Sequence, residues 1–212
     1  MLCRGWAICS VNEMSSKAMA ALIDSLQKLP GIGHKSATRL AYHIVGLSDN
    51  DVNLLADTIR DIKQNTRPCS ICFRTIDANM EVCDICSSTE RDSSMICVVK
   101  DTRDLDALER VGFYKGKYHV TGGLISPLSG VTQEDIRLKE LIGRVAAEDV
   151  KEIIIAFEPT VEGDATALFI SRLLTPAGVK VTKLARGLPI GTDFHSTDSL
   201  TIVKAIENRT LV

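Results

Sequence analysis

Four cysteines, Cys69, Cys72, Cys83 and Cys86, fall within eighteen residues as Cys-Ser-Ile-Cys, ten intervening residues, and Cys-Asp-Ile-Cys. Each CxxC turn can aim two sulfurs at one point, and the ten-residue link lets the turns meet, so four thiolates can close a tetrahedral shell around one Zn²⁺. A shell of four thiolates leaves no position open for water, which points to a structural ion, one per chain. Two disulfides or four incidental buried cysteines are the alternative readings, and disulfides are rare in reducing compartments. The segment has few apolar residues of its own, so a metal would have to fold it.

Two other stretches carry chemistry. Gly31-Ile32-Gly33 follows Pro30 and precedes Lys35 and Arg39, which lie one helical turn apart. A glycine turn before a helix leaves the first-turn N–H groups open to a phosphate oxygen, with the two cations flanking the same path. An ordinary helical hairpin with solvated Lys and Arg, or a dimer contact, is the competing reading. The other stretch is acidic: Asp101 follows one apolar run, and Glu158, Glu162 and Asp164 follow another. These acids could hold one weakly bound Mg²⁺, form an acidic docking patch, or simply be solvated.

The elements that would position these groups can be read from periodicity. Met19, Leu22, Ile23, Leu26 and Leu29 mark a helix, and Ala37, Leu40, Ala41 and Ile44 a second. A third has Ser48 as N-cap and an apolar face of Val52, Leu55, Ala56, Ile59 and Ile62. The three predict a small bundle ending near Asn65, with Thr66-Arg67-Pro68 as the break before the cysteines. After Ser94, strands at 95–99, 117–121, 152–156 and 179–182 alternate with helices at 104–110, around 136–145 and at 164–174, which predicts a mainly parallel sheet covered on both faces. Functional groups should gather at strand C-terminal ends. Leu200, Ile202, Val203 and Ile206 mark a helical tail.

Composition limits the alternatives. The chain has 212 residues, 45% hydrophobic content, a net charge of −2 and a pI of about 6.1, so any basic surface must be local. Aromatic content is 4%, which favours gripping a backbone over stacking on bases. No apolar run is long enough to span a bilayer, and the N-terminus lacks a signal core, so a cytoplasmic protein without a membrane partner is expected. Met14 begins a segment that reads like a start, which makes residues 1–13, with Cys3, Trp6 and Cys9, a dispensable or misassigned leader. Arg74 and Arg91 are candidate DNA contacts that read more readily as solvated, and His43, His119 and His195 read as packing or surface residues.

The Gly31–Gly33 turn with its flanking helices resembles the helix-hairpin-helix module, a sequence-independent DNA binder. The loops after the strands resemble the Toprim fold, in degraded form: Lys100 stands where a metal-binding glutamate should be, Glu158 and Thr160 stand at the two aspartate positions, and only Glu162-Gly163 matches. Two-metal chemistry needs converging carboxylates, so the catalytic site reads as lost. A helix-hairpin-helix, a four-cysteine module and a degenerate Toprim domain occur in this order, with Gly122-Gly-Leu-Ile-Ser-Pro-Leu128, Pro159-Thr-Val-Glu-Gly163 and Leu184-Ala-Arg-Gly-Leu-Pro189. Over residues 18–212 the chain therefore resembles the RecR family of bacterial recombination mediators.

The resemblance implies a multidomain α and α/β chain: a leader at 1–17, a helix-hairpin-helix domain at 18–66, a four-cysteine zinc finger at 67–90, a Toprim domain at 94–190 and a C-terminal oligomerisation segment at 191–212. It implies a nucleoid-associated, non-enzymatic protein that binds double- and single-stranded DNA without sequence specificity. It further implies a homo-oligomer, dimer or ring-like tetramer, that acts with RecO and RecF to load RecA on gapped DNA. Lys35, Arg39, Gly31 and Gly33 match the DNA-facing hairpin, and Glu158 and Glu162 match the RecO-binding surface. Lys100 and Glu158 depart from the family's usual Glu and Asn. The alternative from the Toprim likeness is a Mg-dependent nuclease or primase-like enzyme.

Overall fold

The computed structural model describes residues 16–189 and 191–209. The expected leader up to residue 15, with Cys3, Trp6 and Cys9, lies outside the described residues, as do the last three residues of the tail. The chain forms two compact units that divide between Lys63 and Gln64.

In the first unit, Ser16 caps helix α1 (Lys17–Gln27) by accepting the Met19 N–H. Pro30 and Gly31 turn the chain into α2 (His34–Val45); Gly31 has φ of 80°, which a side chain would resist. Ala37 and Ala41 of α2 are fully buried against Ile23 of α1, the small residues letting the helix backbones approach. Ser48 opens α3 (Asp49–Gln64) by accepting the Asp51 N–H. The three expected helices form, and among the described residues their buried core lies between α1 and α2. Helix α3 buries none of its residues, and Leu54, Leu55 and Ile59 stand exposed. The α1–α2 contact closes on alanines without a third helix, so the apolar period of α3 correctly marked a helix but not its cover.

In the second unit, β1 (Thr66–Pro68) pairs antiparallel with β2 (Thr75–Asp77), so the expected break at Thr66-Arg67-Pro68 is a strand. Pro68 is tolerated because it ends a two-stranded ribbon. Helix α4 (Asp84–Ser87) follows. Then come β3 (Asp92–Val99), α5 (Thr102–Val111), β4 (Gly116–Val120), α6 (Leu138–Ala147), β5 (Glu152–Ala156), α7 (Val161–Leu174), β6 (Lys180–Lys183) and α8 (Ser199–Glu207). Strands β3 to β6 form one parallel sheet in the order β4-β3-β5-β6. Helices α5 and α7 start two and three residues before their apolar periods, because Asp101 caps Arg103 and Asp104 and Thr160 caps Gly163.

Alternation along β3 separates two cores. Ile96 and Val98 join Ile153 and Ile155 of β5 under α6 and α7. Cys97 and Val99 face the other way, with Tyr118 and Val120 of β4, and that face is covered by Leu105 of α5 together with Cys69, Cys72, Cys83 and Ile85. The cysteine segment is thus a lid on the sheet and shares its core.

His119 of β4 is fully buried, in line with a packing role. Its Nε2 lies 2.7 Å from the Arg137 carbonyl, which fixes Nε2–H as donor, and burial depresses its pKa to about 4. The unfolded chain therefore takes up a proton between about pH 6.5 and about pH 4 that the folded one refuses, so stability rises with pH across that window. Lowering the pH through it should cost about 3 kcal/mol. Urea unfolding at a series of pH values from 7 to 4 checks this, with His119→Gln expected to flatten the difference.

Candidate metal centre and nucleic-acid interface

The turn from Cys69 to Arg74 closes through Cys69 N–H to the Arg74 carbonyl (2.8 Å) and Phe73 N–H to the Cys69 carbonyl (3.1 Å). Phe73 completes it with φ of 65°, the one non-glycine among the described residues in the left-handed region. The second turn is capped by Cys83, whose Sγ accepts the Cys86 N–H, and the Cys83 N–H donates to Cys69 Sγ at 3.3 Å. The four sulfurs lie within 4.8 Å of one another, and Cys72 and Cys83 approach to 3.5 Å. A tetrahedral Zn²⁺ with Zn–S of about 2.3 Å has sulfur–sulfur edges of about 3.8 Å. The donor set fits that ion.

Electrostatics agrees with the geometry. All four thiols are free. Hydrogen bonding to Cys83 and burial push Cys72 up to about 12, hydrogen bonds to Cys72 and Cys83 push Cys86 up, and hydrogen bonds from Cys72 and Cys86 hold Cys83 down. Four sulfurs this close cannot all ionise without a cation among them.

Strand β4 locks the module in place. Val120 N–H donates to the Cys72 carbonyl at 2.8 Å, and the buried Lys117 ammonium donates to the carbonyls of Ile85, Cys86 and Ser88 at 2.9, 3.0 and 2.6 Å. Nothing in the sequence marked Lys117, since a strand lysine reads as solvated. Arg74 and Arg91 are corrected in the same sense. Arg74 pairs with Asp84 and Asp106, and Arg91 with Glu109, so both tie the module to α4 or α5 and neither is a solvated arginine.

In the hairpin, α2 begins at Gly33 with no side-chain cap. The first helical N–H to find a carbonyl is that of Ala37, so the amides of His34, Lys35 and Ser36 donate to no group among the described residues. A Cβ at Gly31 or Gly33 would meet nothing within 4 Å, which leaves the approach to those amides clear. His34, Lys35 and Arg39 are exposed, and the two cations enter no ion pair among the described residues. Open donors, a positive helix end and two exposed cations are the groups that can receive an anion here.

The strand-end acids do not converge. The sheet order reverses between β3 and β5, the position where α/β sheets open a crevice. There Lys100 Nζ donates to Glu158 Oε1 at 2.9 Å, and the pair raises the lysine pKa. Asp101 caps α5 and pairs with Arg103. Asp164 is held well below the usual carboxylate range by Arg186, which grips both its oxygens, with Lys183 beside it. Glu162 has no side-chain partner among the described residues, and Gly163 admits no Cβ, which would lie 2.3 Å from the Glu158 carbonyl. Among the described residues the cysteines alone form a group of three or more His, Cys, Asp or Glu with converging ligand atoms. No helix among them is long and apolar enough to cross a membrane.

Comparison with known proteins adds to this picture. Residues 19–63 match the family model described as "RecR, helix-hairpin-helix", residues 94–185 the Toprim domain, and residues 187–210 "RecR, C-terminal". Curated relatives named "Recombination protein RecR" from Streptococcus uberis and Dehalococcoides mccartyi are each 50% identical over 192 residues, covering 91% of this chain and 96% and 93% of theirs. The relative of that name from Streptococcus gordonii is likewise 50% identical, over 91% of this chain and 96% of its own length.

Proposed function

The chain belongs to the RecR family of recombination proteins, and from that premise we propose that it is a non-enzymatic recombination mediator that binds DNA without sequence preference. It acts as a dimer or as a tetramer closed around DNA, and works with RecO and RecF to help load RecA on gapped or single-stranded DNA in the bacterial cytoplasm, at the nucleoid. The observation that carries this is the uncapped start of α2, where three amides without partners among the described residues, with Lys35 and Arg39, surround a turn left open at Gly31 and Gly33. Such a seat contacts phosphates and leaves the bases unread. Basic residues inside a ring and acids outside reconcile DNA binding with a net charge of −2, and avidity raises a weak intrinsic affinity. The exposed apolar residues Leu54, Leu55 and Ile59 of α3, and Leu200, Val203 and Ile206 of α8, support self-association.

The cysteines hold one structural Zn²⁺ per chain in this reading. Glu162 is the acid presented to RecO, with Glu158 shared between that surface and Lys100, and any Mg²⁺ at this loop binds weakly. The Toprim nuclease or primase reading is disfavoured by the Lys100–Glu158 pair, which places an ammonium where a metal would sit. Labelled DNA incubated with the protein and Mg²⁺ or Mn²⁺ should stay intact; cleavage that disappears in Glu162→Ala would overturn the mediator reading.

The hairpin itself is tested by a salt series. Lys35→Ala/Arg39→Ala should weaken binding at every sequence and reduce the slope of log K against log salt by about 1.4 for single strands or about 1.8 for duplex. If affinity and slope both match wild type, the hairpin is a protein contact only.

A further inference from the structure

We infer that the cleft between the β1–β2 ribbon and the C-terminal ends of β3 and β4 is a second phosphate-binding site, for the backbone of a nucleic-acid strand. The cleft encloses about 500 Å³ and is lined by Arg67, Phe73, Thr75, Asp101, Arg103 and Arg137. Three arginines therefore line one space beside a single carboxylate. Asp101 is fully engaged: Oδ1 accepts the Arg103 and Asp104 N–H groups and Oδ2 accepts from the Arg103 guanidinium. Arg103 is neutralised by it. Arg67 makes no ion pair or side-chain hydrogen bond among the described residues, and Arg137 has only Glu140, at 3.8 Å. The cleft keeps an excess of about two positive charges.

Arg137 is held in place from three sides. Its N–H donates to the Thr121 carbonyl at 2.9 Å, its carbonyl accepts from His119 Nε2, and its guanidinium lies 4.2 Å above the Phe73 ring. Phe73 in turn meets the His119 ring edge-on at 5.4 Å. This is the residue whose backbone is left-handed, a conformation that persists in a non-glycine only where surroundings impose it and that concentrates at binding sites. A guanidinium stacked on a ring keeps its in-plane N–H fork free, the geometry that grips a phosphate bidentately. With the ring face occupied by Arg137, the cleft offers no stacking platform for a base, which favours a strand's backbone over a free nucleotide. Thr75 N–H, bonded to Thr102 Oγ1 at 3.0 Å, fixes the ribbon wall against α5 and so sets the spacing of Arg67 and Arg103.

This site is built from other residues than the hairpin and does not depend on it. The test uses the full-length, zinc-loaded chain with a fluorescent single-stranded oligonucleotide, comparing wild type, Arg67→Gln, Arg67→Gln/Arg137→Gln and Lys35→Ala/Arg39→Ala across a salt series. The double cleft variant should bind about tenfold or more weakly and lose about 1.4 from the salt slope, with Arg67→Gln, on an exposed strand, losing about half of that. Arg137→Lys, which keeps the charge but not the fork, should bind more weakly than wild type. Cleft variants that bind as wild type overturn the site, as does a wild type that binds no strand. Displacement of the strand by dTMP at micromolar concentration would make the cleft a nucleotide pocket and overturn the strand assignment. Loss in the cleft variants with the hairpin variant unaffected would keep this site and remove the hairpin from the account; the reverse would remove this site alone.

Discussion

Cys72→Ser is expected to lose zinc and to bring down the whole unit from Gln64 onward. Cys69, Cys72 and Cys83 are fully buried in one core with Leu105, Tyr118 and Val120, and Cys72 and Lys117 stitch the module to β4. Metal binding by four-ligand zinc peptides is worth roughly 10–16 kcal/mol, whereas a domain is stable by only about 5–15 kcal/mol. Losing the ion therefore removes stability comparable to the total and uncovers one face of the sheet. Metal analysis should give no bound zinc, and near-UV dichroism should show a melting midpoint more than about 10 °C lower or no cooperative transition. Cys97→Ala is the internal control. Cys97 lies in the same core, burial alone pushes its pKa up to about 12, and its thiol is no ligand, so that variant should keep one zinc per chain and lose about 1–2 kcal/mol. A zinc-free Cys72→Ser protein melting like wild type would show the cysteines to be incidental.

The second large effect is expected from Gly33→Asp. Gly33 is the N-cap of α2 with φ of −79° and ψ of 169°, an extended conformation that any residue adopts, and a Cβ there meets nothing. Aspartate at this position caps the helix by accepting the open amides and complements the positive helix end, so stability should be unchanged or a few tenths of a kcal/mol higher. The same carboxylate fills the anion seat with a fixed negative charge. DNA affinity should fall on the order of 100-fold at every sequence, with no loss of zinc. Opposite signs in stability and binding separate a phosphate seat from a merely structural turn, because damage to a turn lowers both. Equal DNA affinity in Gly33→Asp would move the interface elsewhere.

What the sequence made legible depended on how local the cause was. The CxxC pairs, the glycine turn and the strand–helix alternation are short-range patterns, and each appears where expected. The misses share a different origin. Thr66–Pro68 reads as a break because proline opposes strands, yet a ribbon end needs no N–H from it. Helix α3 shows which residues prefer burial but not what covers them. Lys117, Arg74 and Arg91 read as solvated cations, and their carbonyl and carboxylate partners lie between 10 and 32 residues away, apart in sequence but adjacent across the β4–α5 side of the sheet. Phe73 and Arg137 lie far apart in the chain and give no sequence signal of their stacking. The Lys100–Glu158 pair at the strand ends is the intermediate case. Lys100 was legible as an intruder among acids, but its pairing with Glu158 requires knowing that β3 and β5 are neighbours.

The central claim, a self-associating chain that grips DNA through the hairpin, is tested most directly by the solution mass of the zinc-loaded protein alone and with an oligonucleotide. The expected result is a mass two or four times 23.1 kDa that increases by the mass of the bound DNA, with Gly33→Asp needing a much higher DNA concentration for the same increase. A 23.1 kDa species that acquires no DNA under any condition would contradict it.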